Sequence, residues 1–172
     1  MKKIIFVKIP FLFLSLLAFK VEPVIDSELK SGCVDCHFVY QAEFLPKQSW
    51  IKLLNKYELA NHFGKKVELS KSLREKFLAY YLENASDSKN TKYRRKINNS
   101  LSKNKIYSRI SKVPYIKSKH EDLDKEMFID NPKVKSYSNC KACHKAEKGI
   151  FEEDEVDVPN WNKSFFFGWS ME

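Results

Sequence analysis

Apolar side chains recur at helical spacing in two stretches of the first half of the chain. The first stretch predicts a helix over residues 50–59, capped by Ser49 and followed by Gly64 as a terminator, with one apolar face: Trp50, Leu53, Leu54 and Tyr57. The second predicts a helix that begins near Ser70 or Ser72 and ends at Asn84, again with one apolar face: Leu73, Phe77, Tyr80 and Tyr81. Only 4 glycines and 6 prolines occur, too few for a β fold built on frequent turns, so we predict a mainly α protein.

The second half of the chain has weaker helical patterns. Pro114 should break any helix that reaches it. We predict one short helix over residues 120–127 and another over residues 138–148, which Gly149 would end. This pattern indicates a smaller and more irregular unit than the first half.

The first nineteen residues have the pattern of an export signal. Lys2 and Lys3 precede an apolar run over residues 9–19, which has the length of a secretory signal and is short for a membrane span. Cleavage after Ala18 is predicted, but Leu16 stands where a small residue is preferred, so an uncleaved N-terminal anchor is the alternative. We therefore expect a periplasmic protein, in a compartment where unused thiols do not persist.

All four cysteines fall in two copies of one motif, Cys-x-x-Cys-His. The copies are Cys33-Val34-Asp35-Cys36-His37 and Cys140-Lys141-Ala142-Cys143-His144. This is the attachment sequence of c-type haem. Residues three apart share a helix face, so both sulfurs can reach the two vinyl groups on one porphyrin edge, and the adjacent histidine lies under the iron. Two copies with no cysteine left over predict two covalently bound haem c groups.

Zinc binding, thiol redox chemistry and disulfide formation are other functions of a Cys-x-x-Cys pair, and each accounts for fewer of the motif cysteines and histidines than haem attachment does. A zinc site pairs two such knuckles across about 15–20 residues, whereas Cys36 and Cys140 are about a hundred residues apart. A thioredoxin-like pair needs a single motif in a βαβ setting. Two local disulfides would not require the histidines. Haem attachment uses all six motif residues.

The histidine count matches two irons with two imidazoles each. The motifs assign His37 and His144 as proximal ligands, and His62 and His120 are then the spare imidazoles. We predict bis-histidine ligation at both irons. Because short loop closures cost less entropy than long ones, we expect His37 opposite His62 and His144 opposite His120.

Methionine is the alternative distal ligand. Met127 could replace His120 at one iron, whereas Met171 lies one residue from the C-terminus, where a rigid ligand is unexpected. A thioether ligand raises the reduction potential of a cytochrome. Histidine at all four positions therefore predicts two low-potential haems.

Residues 86–119 are strongly basic, with Asp87 as their one acid and eleven lysines or arginines: Lys89, Lys92, Arg94, Arg95, Lys96, Lys103, Lys105, Arg109, Lys112, Lys117 and Lys119. We interpret residues 89–108 as a basic connection between two haem units. The connection is either solvated and mobile, or a surface that docks an acidic partner or supplies counter-charges to haem propionates.

The overall charge does not indicate a nucleic-acid partner. The formal charge of +9 becomes +6 once the three charges of Lys2, Lys3 and Lys8 leave with the signal. Four haem propionates would bring it close to neutrality. No phosphate-binding loop or base-stacking motif accompanies the basic residues.

The order of haem motif, mid-chain histidine and closing aromatic helix resembles a minimal class I cytochrome c fold. Residues 26–88 are therefore expected to form a class I cytochrome c-like N-terminal haem unit, completed by its porphyrin because about sixty residues make a poor core alone. Residues 109–160 are expected to form the smaller, irregular second haem unit. An aromatic tail, residues 161–172, should pack back on that unit or, alternatively, contact a membrane interface.

Several short motifs together resemble the small periplasmic dihaem cytochrome c family. They are Cys33 to His37, Leu45-Pro46, Ser49-Trp50, His62-Phe63-Gly64, Tyr81 to Ala85, Arg109 to Ser111, Pro114 to His120, Asn139 to His144, Ala146, Gly149 and Phe151. The resemblance implies proximal ligands His37 and His144 and distal ligands His62 and His120. It also implies an electron carrier between a membrane cytochrome b-type donor and a small soluble cytochrome acceptor.

Two other function classes are open at this point. A dihaem peroxidase or nitrogen-oxide reductase needs an iron with an open or displaceable distal position, and a histidine for every iron argues against one. A haem-bearing sensor or assembly subunit would use the basic residues mainly as a binding surface. The electron carrier needs no catalytic group, and we expect that class.

Overall fold

The computed structural model describes residues 21–32 and 37–161, and within these ranges the protein is helical with no β-strand. The mainly α prediction is confirmed. The α-helices are α1 (Ser27–Ser31), α2 (Lys47–Leu53), α3 (Lys56–Ala60), α4 (Lys71–Asn84), α5 (Lys92–Ser100), α6 (Pro114–Ser118) and α7 (Lys125–Phe128). Short 3₁₀ helices occupy Ala42–Phe44, Ile110–Lys112, Cys140–Ala142, Ala146–Lys148 and Glu153–Glu155.

Some predictions lie outside the described residues. These are the signal over residues 1–19, the pair Cys33 and Cys36, Met171, and the aromatic tail beyond Trp161. In the two described ranges, no helix has the length and apolar character needed to cross a membrane. The boundaries between the haem units and their connection stay a prediction.

Two short helices replace the single helix predicted over residues 50–59. α2 begins before Ser49, which is therefore buried inside the helix instead of capping it. Asn55 interrupts the helical run because its side-chain oxygen accepts hydrogen bonds from the N–H groups of Tyr57 and Glu58, both at 2.9 Å. Tyr57 is consequently 76% exposed and leaves the apolar face. The other three apolar side chains of that face are buried: Trp50, Leu53 and Leu54.

Helix α4 agrees with its prediction. Ser70 caps it by accepting a hydrogen bond from the N–H of Leu73 at 3.1 Å, and the helix ends at Asn84. Phe77 and Tyr81 are buried, and the ring of Tyr81 lies 4.0 Å from that of Trp50 on α2. This aromatic contact joins α2 and α4 in the core of the first half.

Helix α5 lies inside the basic connection and packs into the core. Thr91 caps it, and both Arg94 and Ile97 are buried, the arginine with 1% of its surface exposed. Arg94 Nη1 donates to the Ala85 carbonyl at 2.9 Å. Its Nε lies 3.2 Å from Oε2 of the buried Glu43, as an ion pair without hydrogen-bond geometry. The interpretation of a solvated, mobile connection is therefore wrong for these helical residues.

The second half is more irregular than predicted. Pro114 occupies the first turn of α6 and so begins a helix, because its missing N–H would have no partner there. The helix predicted over residues 120–127 is wrong, since turns separate α6 from α7. The helix predicted over residues 138–148 is likewise wrong, and two 3₁₀ turns take its place.

Gly149 ends the second of these turns, as predicted, and it is needed there for two reasons. Its φ is +72°, a conformation that side chains disfavour. A Cβ at this position would also meet the Val21 carbonyl oxygen at 1.9 Å. The Gly149 carbonyl accepts a hydrogen bond from the Val21 N–H at 3.0 Å, so the first described residues pack on the segment that follows the second motif.

Candidate haem sites

His37 and His62 lie side by side, as the order of the chain predicts. Their ring centroids are 6.3 Å apart and their planes are inclined by 37°. Nδ1 of His37 lies 2.7 Å from the Phe38 carbonyl oxygen. Because a carbonyl can only accept, this contact requires the proton on Nδ1 and leaves the Nε2 lone pair available to a metal.

A tight turn presents His62. Backbone hydrogen bonds run in both directions between His62 and Lys65, at 2.7 and 3.1 Å. Phe63 and Gly64 between them have positive φ values of 51° and 89°, so Gly64 forms this turn and does not cap the preceding helix. Burial, and then the neighbouring His37, lower the pKa of His62. Its imidazole is therefore neutral at pH 7, the form that binds metals.

His120 and His144 form the second pair. Their ring centroids are 6.0 Å apart and their planes are nearly perpendicular, at 79°. Nδ1 of His120 donates to the Ile116 carbonyl at 2.7 Å, at the end of α6, which again leaves Nε2 free. Burial, and then His120, lower the pKa of His144 to about 4. This imidazole is also neutral at pH 7.

Both pairs have the separation that one iron between two imidazoles requires. Nitrogen ligands bind at about 2 Å, so two on opposite faces of an iron are about 4 Å apart. An imidazole centroid lies about 1 Å behind its nitrogen, which gives centroids about 6 Å apart. The observed 6.3 and 6.0 Å therefore fit a haem iron in each pair. The crossed pairing does not occur, whereas ligation by these four residues stays a prediction.

The second motif has both of its thiols free, and their attachment to a haem stays a prediction. Cys140 begins the 3₁₀ turn and Cys143 ends it, just before His144, and neither forms a disulfide. Burial raises the pKa of Cys140 to about 11 and also raises that of Cys143. Met127, the alternative to His120, is buried in α7. The His120 and His144 rings lie 6.0 Å apart, so this pair fits an iron without the methionine, and the choice of ligand stays a prediction.

Residues 40–44, which follow the first motif, connect the two sites. The sequence patterns did not indicate these contacts. The Tyr40 hydroxyl donates to the Ser138 carbonyl at 2.6 Å, and the fully buried Gln41 donates its amide to the Ala146 carbonyl. Phe44 packs edge-on against Phe151 at 5.0 Å. These contacts join residues about a hundred positions apart in the sequence. Such contacts produce no periodic pattern of apolar residues, so pattern analysis could not have predicted them.

Comparison with known proteins agrees with these two sites. The dihaem cytochrome c family matches residues 29–151, which include both motifs and all four histidines. A diheme cytochrome c from Rhodobacter sphaeroides is 34% identical, with 75% of this chain and 98% of that chain covered and a TM-score of 0.66. A diheme cytochrome type c from Shewanella baltica OS155 is 30% identical, with 79% and 94% covered and a TM-score of 0.63. No curated protein sequence matches the chain.

The motifs, the paired imidazoles and the matched structures lead to one assignment. The sequence carries two Cys-x-x-Cys-His motifs and the structure two pairs of neighbouring histidines, which accommodate two covalently bound haem c groups with their irons. Proteins with this arrangement are electron-transfer cytochromes, and the chain belongs to the dihaem cytochrome c family.

Proposed function

We propose that this protein is a periplasmic electron carrier that takes electrons from a membrane cytochrome b-type donor and delivers them to a small soluble cytochrome. The observation that carries the proposal is the facing imidazole pair at each site. An iron with two histidine ligands has no open position for a substrate. It can still gain and lose an electron without changing its ligands, and that is the requirement of a carrier.

The residues of this chain tune the sites through hydrogen bonds. When bound, the haems supply the one-electron chemistry of their irons. The Phe38 carbonyl holds the His37 ring, and the Ile116 carbonyl holds the His120 ring. Such bonds fix the tautomer and ring orientation and make the ligand more basic. They favour the oxidised iron and support the expectation of low potentials.

A dihaem enzyme is the competing function, and one observation bears on which ligand it would release. His62 is only half-buried and stands in a turn with two positive φ values, whereas the His120 ring is held by its hydrogen bond to the Ile116 carbonyl at 2.7 Å. An enzyme would therefore open the first site, at His62. Peroxide or nitrogen-oxide chemistry would require that release, and a carrier would retain the ligand through every cycle.

A basic surface flanks the second site and supports an acidic partner. We define it by Lys112, Lys117 and Lys119, which are exposed. The backbone of Lys117 accepts a hydrogen bond from the N–H of His120 at 3.0 Å, and Lys119 directly precedes His120, so two of the three residues adjoin the predicted distal ligand. Opposite charges on a partner would bring its cofactor toward this edge and accelerate the encounter.

Charge reversal tests this partner assignment. The triple change Lys112→Glu, Lys117→Glu and Lys119→Glu should slow electron exchange with a small acidic c-type cytochrome by roughly tenfold or more at low salt, because steering depends on local charge. The rate is measured by stopped-flow mixing at about 0.01 M and about 1 M ionic strength, where the Debye length is about 30 and about 3 Å.

A matched control separates local charge from net charge. The exposed lysines Lys56, Lys66 and Lys71 lie outside the basic stretch, and their reversal changes the total charge equally. This variant should retain most of the parental rate. Equal slowing in both variants, or a parental rate that ignores salt, would contradict docking at the second site.

A further inference from the structure

Tyr40 is in contact with both haem sites. Its ring centroid lies 4.9 Å from that of His37, with the planes inclined by 33°. Its hydroxyl donates to the Ser138 carbonyl at 2.6 Å. Ser138 precedes Cys140, the first attachment residue of the second site, by two positions. One side chain thus reaches from a ligand of the first haem to the peptide that carries the second.

Attachment of haem would leave Tyr40 as the donor to this carbonyl. In the free chain, the Cys140 thiol also lies 3.9 Å from the Ser138 carbonyl oxygen. A thioether bond removes the hydrogen from that sulfur, so it can no longer donate. Of these two donors, only the Tyr40 hydroxyl then continues to bond the Ser138 carbonyl. The Tyr40 contact is therefore the one of the two that persists in the haem-loaded protein.

The surroundings hold Tyr40 in this position. Its own carbonyl accepts a hydrogen bond from the Tyr81 hydroxyl at 2.9 Å, and the Phe38 ring packs edge-on at 4.5 Å. The next residue, Gln41, is fully buried and bonds the Ala146 carbonyl, two positions after His144.

We propose that Tyr40 is a positioning residue that couples the two haem sites, and that electron exchange between the haems depends on its hydroxyl and ring. The hydroxyl fixes the attachment peptide of the second haem relative to His37, and the ring fills the space between them. A change in either alters the distance and contact across which an electron passes. The inference rests on the proposed function, because exchange requires both haems in one chain.

Two substitutions separate the hydroxyl from the ring. Tyr40→Phe removes the hydrogen bond and keeps the ring, and Tyr40→Leu removes both. Tyr57→Phe is the matched control, since Tyr57 is 76% exposed on α3. Exchange is measured on the half-reduced holoprotein by two-dimensional exchange NMR of the haem methyl protons, over a dilution series that separates exchange between molecules. The EPR spectrum of each oxidised variant reports its ligands.

We expect low-spin EPR spectra with two haems in all variants, a severalfold slower exchange in Tyr40→Phe, a larger loss in Tyr40→Leu, and the parental rate in Tyr57→Phe. Parental exchange in both Tyr40 variants would overturn the inference. High-spin iron in Tyr40→Phe would also overturn it, because the residue would then hold the His37 ligand instead. The EPR spectrum of the unsubstituted protein is recorded separately. High-spin iron in that spectrum would count against the proposed function and not against the role of Tyr40.

Discussion

Replacing His62 or His120 with alanine should convert one haem of the two to a high-spin form and leave the other low-spin. Each histidine faces a single proximal partner, with ring centroids 6.3 Å apart in the first pair and 6.0 Å apart in the second. Loss of one imidazole leaves the iron of that pair with five ligands and a weaker ligand field. Optical and EPR spectra of each variant would show half of the iron changed.

Met127→Leu is the control for this prediction. Met127 is buried in α7, and a leucine fills a similar volume, so the variant should fold and keep the parental spectrum. Loss of a near-infrared methionine–iron band in Met127→Leu would show that one site has a methionine ligand. Unchanged low-spin spectra in the His120→Ala variant would lead to the same conclusion.

Replacing Arg94 with methionine should lower the free energy of unfolding by about 3–5 kcal/mol. The arginine is 1% exposed and pairs with Glu43, whose side chain is 7% exposed. Without the guanidinium, the carboxylate is a buried charge without this partner, and the Ala85 carbonyl loses a donor at 2.9 Å. Guanidinium chloride titration of the holoprotein, followed by circular dichroism, measures the change.

The neighbouring arginine provides the comparison. Arg95 is exposed on the same helix, and Arg95→Met should change the free energy of unfolding by about 0.5 kcal/mol or less. Adding Glu43→Gln to the Arg94 variant should recover part of the loss, because removing both charges costs less than removing one. Equal losses in Arg94→Met and Arg95→Met would show that the buried pair does not stabilise the fold.

The site chemistry was predictable because its signals are local. Each Cys-x-x-Cys-His motif places two sulfurs and a ligand within five residues, and four histidines match two irons. The spatial pairs also followed from the chain order, since each spare histidine lies beside the histidine of the nearer motif. Helix α4 was predictable for a similar reason, because its fourteen residues have a capping serine before them and include two buried aromatic residues four positions apart.

Short elements depended on interactions that a periodic pattern does not contain. The side chain of Asn55 satisfies the first N–H groups of α3, and this cap is more favourable there than continuing α2. The second half folds into 3₁₀ turns, whose stability comes from contacts such as that of Gly149 with Val21. Such partners lie far apart in the sequence.

The burial or exposure of individual charged residues was equally unpredictable from the sequence. Arg94 belongs to a stretch of basic residues whose composition predicts exposure to solvent. It is buried because the fold brings it into contact with Glu43 and the Ala85 carbonyl. Its neighbour Arg95 is exposed, so residue type alone could not separate the two. Burial of the pair became evident only once α5 was placed on the 3₁₀ turn Ala42–Phe44.

EPR of the oxidised holoprotein tests the bis-histidine dihaem assignment most directly, with the number of haems per chain measured by a pyridine haemochrome assay. We predict two covalent haems per chain, both low-spin and unaffected by cyanide. The two signals should differ, because the angle between axial imidazole planes sets the orbital splitting of low-spin iron, and the pairs are inclined by 37° and 79°. One haem per chain, or a high-spin fraction that binds cyanide, would contradict the account.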